Sequence, residues 1–324
     1  MGSGIARPRV ASGPGRGEGR AGPPGNVRGV APPDGLRFDT ISFLSDLGTT
    51  DEYVGVVRSV IRSIVPAVGV VDITHGIAPY DTRAGGLALA RSVQYLCPGV
   101  VLALVDPGIG VDRRRIAVEV GDGAAVLVGP DNGVLAPAVA MVGGATRAFS
   151  LDRTDFHLPS AGPVFDGRDV LAPAAAHLCV GVPLEELGTE VDPASLLPGV
   201  LPVARMEDDV LVAEVLWADR FGNLQLNIDP DDLAAHTADD AVVGIRSRTG
   251  IRTARRVTGA GELGAGQVGL LVDGYGLLSL VVGRGSAGEE LGIGPSDEVQ
   301  LFDADTGPGS APAPVPVQLT RRDR

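Results

Sequence analysis

The sequence contains no lysine, and all 27 of its basic side chains are arginine. Together with abundant Ala, Gly, Pro and Val, that is the codon bias of a GC-rich genome. Against those cations stand 40 acidic residues, for a formal net charge of −13. A chain this acidic lacks the positive field that a nucleic-acid or anionic-membrane footprint requires, so neither partner is expected. Cysteine is almost as scarce. Cys97 and Cys179 stand alone, which excludes a disulfide framework and a zinc cluster. Cys97, between an apolar helical run and Pro98, is expected as a small buried apolar residue. The four histidines (His75, His157, His177, His236) show no metal-ligand spacing, and no metal is expected. Long hydrophobic runs are also missing. The best candidate, "VGLLVDGYGLLSLVVG", is broken by Asp273 and internal glycines and falls short of the roughly 20 residues a membrane helix needs. No apolar h-region follows the start, so no signal peptide is expected and the cytoplasm is the default location.

What is present suits a globular protein of about two domains: 324 residues, 44% of them hydrophobic. Residues 1–36 and 305–324 are rich in Gly, Pro, Arg and Ala. They cannot bury enough surface to offset their ordering entropy, so both are expected to be disordered tails. In 37–199, strand-like runs ("TISFLS", "VGVVDIT", "VVLALVD", "RIAVEV", "AAVLVG", "TRAFSL") alternate with helical ones. "DEYVGVVRSVIRSI" has helical spacing with Asp51 as its cap, and "DTRAGGLALARSVQYL" opens at Asp81. A short helix is expected from about Val134 and a buried one in "VLAPAAAHLCVG". This is the pattern of an α/β domain with a mainly parallel sheet sandwiched by helices. From 200 to 304, Val-, Leu- and Gly-rich runs joined by turns predict a smaller β-barrel-like domain.

Four of the N-terminal strands end in an acid: Asp46, Asp72, Asp106 and Asp131. Ligands of an open parallel sheet bind beyond the carboxyl ends of its strands, so these acids are expected along one edge. Each alone is equally explained as a cap or turn former. Together they suit ribose hydroxyls, a substrate ammonium or a cation. The usual phosphate loops are missing. "GAGELG" at 259–264 lies in the β region with no helix after it, where the dinucleotide fingerprint has no force. In "GPVFDGRDVLAP", residues 162–173, Asp166, Arg168 and Asp169 crowd together just before a buried helix. They are either a solvated turn with an N-cap or one wall of a site.

Six segments in order, "SDLGTTDEYVG", "VVDITHGIAPYD", "DPGIGVDRR", "VGPDNGVLAP", "FDGRDVLAPAAAHL" and "DRFGNLQLNI", resemble the S-adenosylmethionine hydroxide adenosyltransferase family, relatives of the adenosyl fluorinase and chlorinase. The resemblance covers about residues 39–304. It implies hydrolysis of S-adenosylmethionine to adenosine and methionine, with no further cofactor. It also implies a homotrimer whose sites lie between the N-terminal domain of one subunit and the C-terminal domain of the next. On this resemblance Asp46 chelates the ribose hydroxyls, and Asp51 and Asp219 lie near the methionine ammonium. Tyr80 and Phe165 wall the nucleoside, and Phe221 and Asn223 meet the adenine. Tyr275, with Arg284 and Ser286 of "GRGS", completes the substrate-binding set, while Gly283 stands where relatives often carry Asn.

The nucleophile side of the resemblance implies an Asp-Arg-His set. Its Asp and Arg fall on Asp106 and Arg113, but the His position is Asp166. Halogenating relatives carry an uncharged residue at the first position, and the fluorinase has Ser where this chain has Gly167. A carboxylate repels a halide ~4 Å away by several kcal/mol at an effective dielectric of about 20. Asp106 and Asp166 therefore favour water as nucleophile over halide. Isolated, Asp166 would be a weak base, with a pKa near ~4. Two carboxylates in one desolvated site raise one pKa, and Arg113 opposes that rise. Asp166 then acts as base, or it only orients Arg113 or caps the next helix while Asp106 acts alone. Two other functions fit the same residues: adenosyl transfer to another small nucleophile, and non-catalytic binding of adenosine or S-adenosylmethionine.

Overall fold

The computed structural model describes residues 35–106, 113–162, 164–238 and 242–305. Residues 1–34 and 306–324 of the two expected tails lie outside the described residues. The N-terminal domain is built on one seven-stranded sheet in the order β2-β1-β3-β5-β4-β6-β7. Its strands are β1 (Thr40–Ser45), β2 (Gly69–Thr74), β3 (Val100–Leu104), β4 (Arg115–Val120), β5 (Ala125–Pro130), β6 (Ala145–Ser150) and β7 (Thr189–Val191). β2, β1, β3 and β5 run parallel, and β4, β6 and β7 add an antiparallel flank. The flank follows from connection length. β4 and β5 are joined by the four-residue turn 121–124, which permits only a hairpin.

Both faces of the sheet are covered, which is why its central strands read as unbroken apolar runs. In β3, Val100, Leu102 and Leu104 pack toward α1 (Tyr53–Ile64) and α4 (Ala172–Cys179). Val101 and Ala103 face α2 (Thr82–Ser92) and α3 (Ala136–Met141) on the other side. The period-two alternation is present but both phases are apolar. α1 places Val54, Val57 and Ile61 on one face, and each is buried. Burying such side chains contributes about 1.5–3 kcal/mol apiece. α2 opens as expected at Asp81, whose side chain accepts the Ala84 N–H at 2.8 Å. Asp51 does not cap α1. Glu52 holds the N-cap position and no side chain bonds there. Cys97 is exposed rather than buried, because the chain turns outward at Pro98 before β3. Cys179 is buried in the α4 core, and burial pushes its thiol up to about 12.

The C-terminal domain is a closed seven-stranded barrel. Its strands are β9 (Val210–Ala218), β10 (Leu224–Leu226), β11 (Val243–Ser247), β12 (Gly250–Arg256), β13 (Val268–Val272), β14 (Leu278–Val282) and β15 (Glu298–Asp303), and short β8 (Arg205–Glu207) extends β9 outside. β9 closes it, pairing with β15 through its first half and β10 through its second. Among the described barrel strands only β12 and β13 pair in parallel. The "GAGELG" segment is the crossover between them, one turn of 3-10 helix with no α-helix after it. Two side chains of α2 join the domains. Arg83 pairs with Glu214 at 2.5 Å and bonds Ser296 at 2.8 Å, and Arg91 stacks 4.2 Å from the Trp217 ring centroid. Among the described residues no helix is long and apolar enough to cross a membrane.

Candidate active site

Parallel pairing sets two of the acids side by side. Ser45 is in register with Leu104, and the Asp46 N–H donates to the Leu104 carbonyl at 3.2 Å. Asp46 and Asp106 therefore leave adjacent strand ends at one level. The third acid arrives from a distant segment. Asp166 precedes a π-helical turn, Gly167–Leu171, that leads into α4. Wide turns of this kind recur at functional sites. A side chain at Gly167 would put Cβ 2.8 Å from Leu104 Cδ1, so glycine lets this turn lie against the end of β3. The result is an open pocket walled by Asp46, Leu47, Leu104, Asp106, Pro130, Val164, Phe165, Asp166, Gly167 and Leu171. Phe165 is fixed by an edge-on contact with Tyr53, ring centroids 5.3 Å apart.

The charges of the "FDGRD" stretch separate into two groups. Arg168 and Asp169 hold each other in a two-pronged pair at 2.6 and 2.8 Å. Burial alone would raise the Asp169 carboxyl, but the bonds from Arg168 and Ser160 hold it below its usual range. Asp166 is left facing the pocket. It makes no capping bond to the helix that follows, so capping is not its role. Nor is Arg113 its ion-pair partner: Arg113 bonds Asp106 at 2.5 Å, while Arg115 Nε stands 3.7 Å from Asp166 Oδ2. Burial raises the Asp166 carboxyl above its ordinary value, Arg115 opposes this, and the charges of Asp106 and Asp169 add to it. Asp46 is also raised by burial, tempered by the Tyr80 N–H, which donates to its Oδ2 at 2.7 Å. Tyr80 holds a left-handed backbone, φ 69°, and is 62% exposed; it does not line the pocket that the resemblance expects it to wall. Asp51 is exposed and does not line the pocket.

Of the four strand-end acids, two go elsewhere. Asp131 is buried, takes Arg114 at 2.6 Å and accepts the Leu197 N–H at 2.8 Å. Asp72 lies within β2, paired with Arg58, and stands 3.1 Å from His75 Nε2. His75 Nδ1 is 2.7 Å from Ser45 Oγ. This Ser-His-Asp series is not legible as a motif, and Ser45 is fully buried, which rules out nucleophilic work. It braces the turn after β1, where the His75 carbonyl also accepts the Gly48 N–H at 2.9 Å. Among the described residues no group of His, Cys, Asp and Glu is arranged to hold a metal ion.

The C-terminal candidates form a second surface that does not line this pocket. Asp219 accepts the N–H groups of Phe221 and Asn223 at 2.8 and 2.9 Å and the Asn223 side-chain amide at 2.8 Å, so it shapes the loop. That loop presents Phe221 with 73% of its surface exposed. It seats on the short helix Ala287–Leu291, which Ser286 caps by accepting the Glu289 N–H at 3.1 Å. Arg284 sits beside them with φ 57°. Gly283 is required sterically, since a Cβ there would lie 2.1 Å from the Gly264 carbonyl oxygen. Tyr275 packs edge-on against Trp217 at 6.4 Å. Sequence reasoning missed Arg115 and His157. The third arginine of "DRRR" is the first residue of β4, and that position was its only signal. His157 lies within the electrostatic reach of Asp166, and burial, then Arg115, lowers its imidazole pKa.

Comparison with known proteins follows the same division. The model of the SAM hydroxide adenosyltransferase N-terminal domain matches residues 41–188, and that of the C-terminal domain matches 213–300. A protein of Salinispora tropica named (R)-S-adenosyl-L-methionine hydrolase is 38% identical over 81% of this chain and 97% of its own length. One of the same name from Thermus thermophilus is 40% identical over 81% of this chain and 99% of its own. The crystal structure of an uncharacterized conserved protein from Thermotoga maritima superposes with a TM-score of 0.75 at 30% identity, covering 81% of this chain and 99% of that one. With both domain models matched in order over most of the folded chain, the protein belongs to the S-adenosylmethionine hydroxide adenosyltransferase family.

Proposed function

We propose that this protein hydrolyses S-adenosyl-L-methionine to adenosine and L-methionine. One observation carries the reading within the family: three carboxylates, Asp46, Asp106 and Asp166, meet in one pocket with Arg113 bound to Asp106. The sulfonium makes the ribose C5′ electrophilic. Water attacks C5′ in line with the C5′–S bond; a C–O bond forms, the C–S electron pair returns to sulfur, and methionine leaves as a neutral thioether. The proton lost by water passes to a carboxylate and then to solvent. Asp46 accepts both ribose hydroxyls, which suits a group with two acceptor oxygens. Asp166, raised by burial, takes the proton, and Arg113 fixes Asp106 beside the water. Catalysis then rests on positioning and on a base kept out of bulk water.

The pocket is open and the C-terminal candidates lie outside it, with Phe221 and Tyr80 exposed. That arrangement supports completion of each site by the C-terminal domain of another subunit, in a homotrimer. The resemblance and the relatives' names supply two further details: Asp219, Phe221, Asn223, Tyr275, Arg284 and Ser286 hold adenine and methionine, and the (R) sulfonium epimer is the one cleaved. The test is incubation with each resolved epimer in chloride buffer, followed by chromatography and mass spectrometry. Adenosine and methionine in equal amounts are expected, faster from the (R) epimer. A chlorinated nucleoside would replace this reading with halogen transfer, and binding without product would make the protein a nucleoside binder.

A further inference from the structure

An imidazole base is uncharged when it is active, whereas a carboxylate base is charged. With Asp166 where the resemblance implies His, the pocket wall gains a half-buried negative charge that needs a counter-charge. We propose that Arg115 is the positioning residue of the reaction, clamping Asp166 toward the attacking water and tying it to the segment that carries Arg113. The inference rests on the hydrolysis reading and adds a residue the motifs did not assign.

Three contacts support it. Arg115 Nε is buried, has no hydrogen-bond partner, and stands 3.7 Å from Asp166 Oδ2. An unbonded buried donor is costly, and a small rotation of either side chain would make a charge-assisted bond. Catalytic hydrogen bonds are often long before substrate binds and tighten afterwards. The same guanidinium donates from Nη1 to the Arg113 carbonyl at 3.2 Å, and Arg113 holds Asp106 at 2.5 Å. Asp166, Arg115, Arg113 and Asp106 thus form one connected series whose two ends, Asp166 and Asp106, line the pocket. The backbone of Arg115 is itself fixed. It pairs with Pro130 of β5, and its carbonyl accepts the Leu151 N–H at 2.7 Å.

Other charged groups also face Asp166. Asp106 and Asp46 come from the ends of β3 and β1, Asp169 from the π turn and His157 from the preceding loop. Asp169 is occupied by Arg168. Among the described residues Arg115 is the cation at ion-pair distance from Asp166.

The test follows the Asp166 carboxyl by carbon-13 NMR across pH, assigned with Asp166→Asn, alongside kcat and KM over the same range. The NMR arm reads the clamp whether or not the parent turns over, so failure of the hydrolysis reading and failure of the clamp are separable. In Arg115→Gln the Asp166 titration and the acidic limb of kcat should both move up by about one pH unit or more. At pH 6, kcat should fall by about tenfold to a hundredfold with little change in KM, because a misplaced base costs rate rather than binding. Arg115→Lys should keep the Asp166 titration near the parent's and recover only part of kcat, since an ammonium lacks the planar fork. This variant keeps charge and strand and serves if Gln loosens β4. In an Asp166→Asn background, Arg115→Gln should add little further loss. An unmoved Asp166 titration in Arg115→Gln would overturn the proposal. So would full activity in that variant, or loss of the acidic limb in His157→Gln, which would make His157 the base.

Discussion

At Asp166, chemistry and stability pull in opposite directions. Burial raises its carboxyl pKa above the ordinary 3.8, so the fold favours the protonated form. That stabilisation is fully present below the unfolded value and is lost as pH rises through the raised folded value. Asp166→Asn imitates the protonated form at every pH. Calorimetry should therefore find its Tm above the parent's at pH 7 and equal to it near pH 3. The same substitution should lower kcat by ~10²–10⁴-fold, the usual size of a lost general base. Asp166→His should keep much of the activity, with a pH profile that follows imidazole titration. A variant less stable than the parent at pH 7 would mean that the Arg115 pair outweighs burial. Asp46 is a simpler case. It binds the Tyr80 N–H and is raised by burial, and Asp46→Ala removes a charged acceptor worth ~1.5–3 kcal/mol to its partners. Adenosine affinity measured by calorimetry should fall at least about tenfold; an unchanged Kd would remove Asp46 from the ribose site.

Among the elements, the loop 219–223 and the helix Ala287–Leu291 pack against each other. Gly222 has φ 82°, and a Cβ on it would lie 2.1 Å from Ser286 Oγ. Its carbonyl accepts the Gly288 N–H at 3.1 Å. Gly222→Ala combines a left-handed backbone penalty with overpacking, so urea denaturation should show a loss of about 2–5 kcal/mol. Phe221 and Asn223 hang on that loop, so adenosine affinity should weaken as well. Unchanged stability would show that the loop and helix separate at little cost. The π turn at Gly167–Leu171 has the complementary role in the N-terminal domain. It pairs Arg168 with Asp169 on itself and leaves Asp166 turned to the pocket.

For the whole molecule, the exposed C-terminal surface and the open N-terminal pocket make a prediction that a self-contained monomer cannot satisfy. Asp106→Asn disables the pocket, and Phe221→Ala disables the loop that presents it. Each variant alone should be inactive. Mixed after partial dissociation and reassembly, they should regain about a quarter of parental activity, because a head-to-tail interface pairs one intact pocket with one intact loop in that share of sites. Light scattering should report three times the chain mass of 33.0 kDa. No recovery on mixing, with a monomeric mass, would mean that each chain builds its site alone.

The sequence alone determined the period of each element and its apolar faces. β1 was legible as "TISFLS", the Asp81 cap as the start of α2, and the change to a barrel after residue 200 as a change in pattern, because local sterics and burial write these into neighbouring residues. It also placed Asp46 and Asp106 at strand ends, where a parallel sheet gathers its ligands. Partner choice among charges was decided only by the tertiary structure. Asp131 and Asp72 carried the same local signature as Asp46 and Asp106, yet they turn to Arg114 and Arg58, which sequence spacing cannot rank. Asp166 found Arg115 rather than Arg113 because Arg115 is the first residue of β4, set opposite Pro130 of β5, while Arg113 lies before the strand and bonds Asp106. The neighbouring Arg114 takes Asp131 instead, and only the assembled sheet fixes which arginine meets which acid.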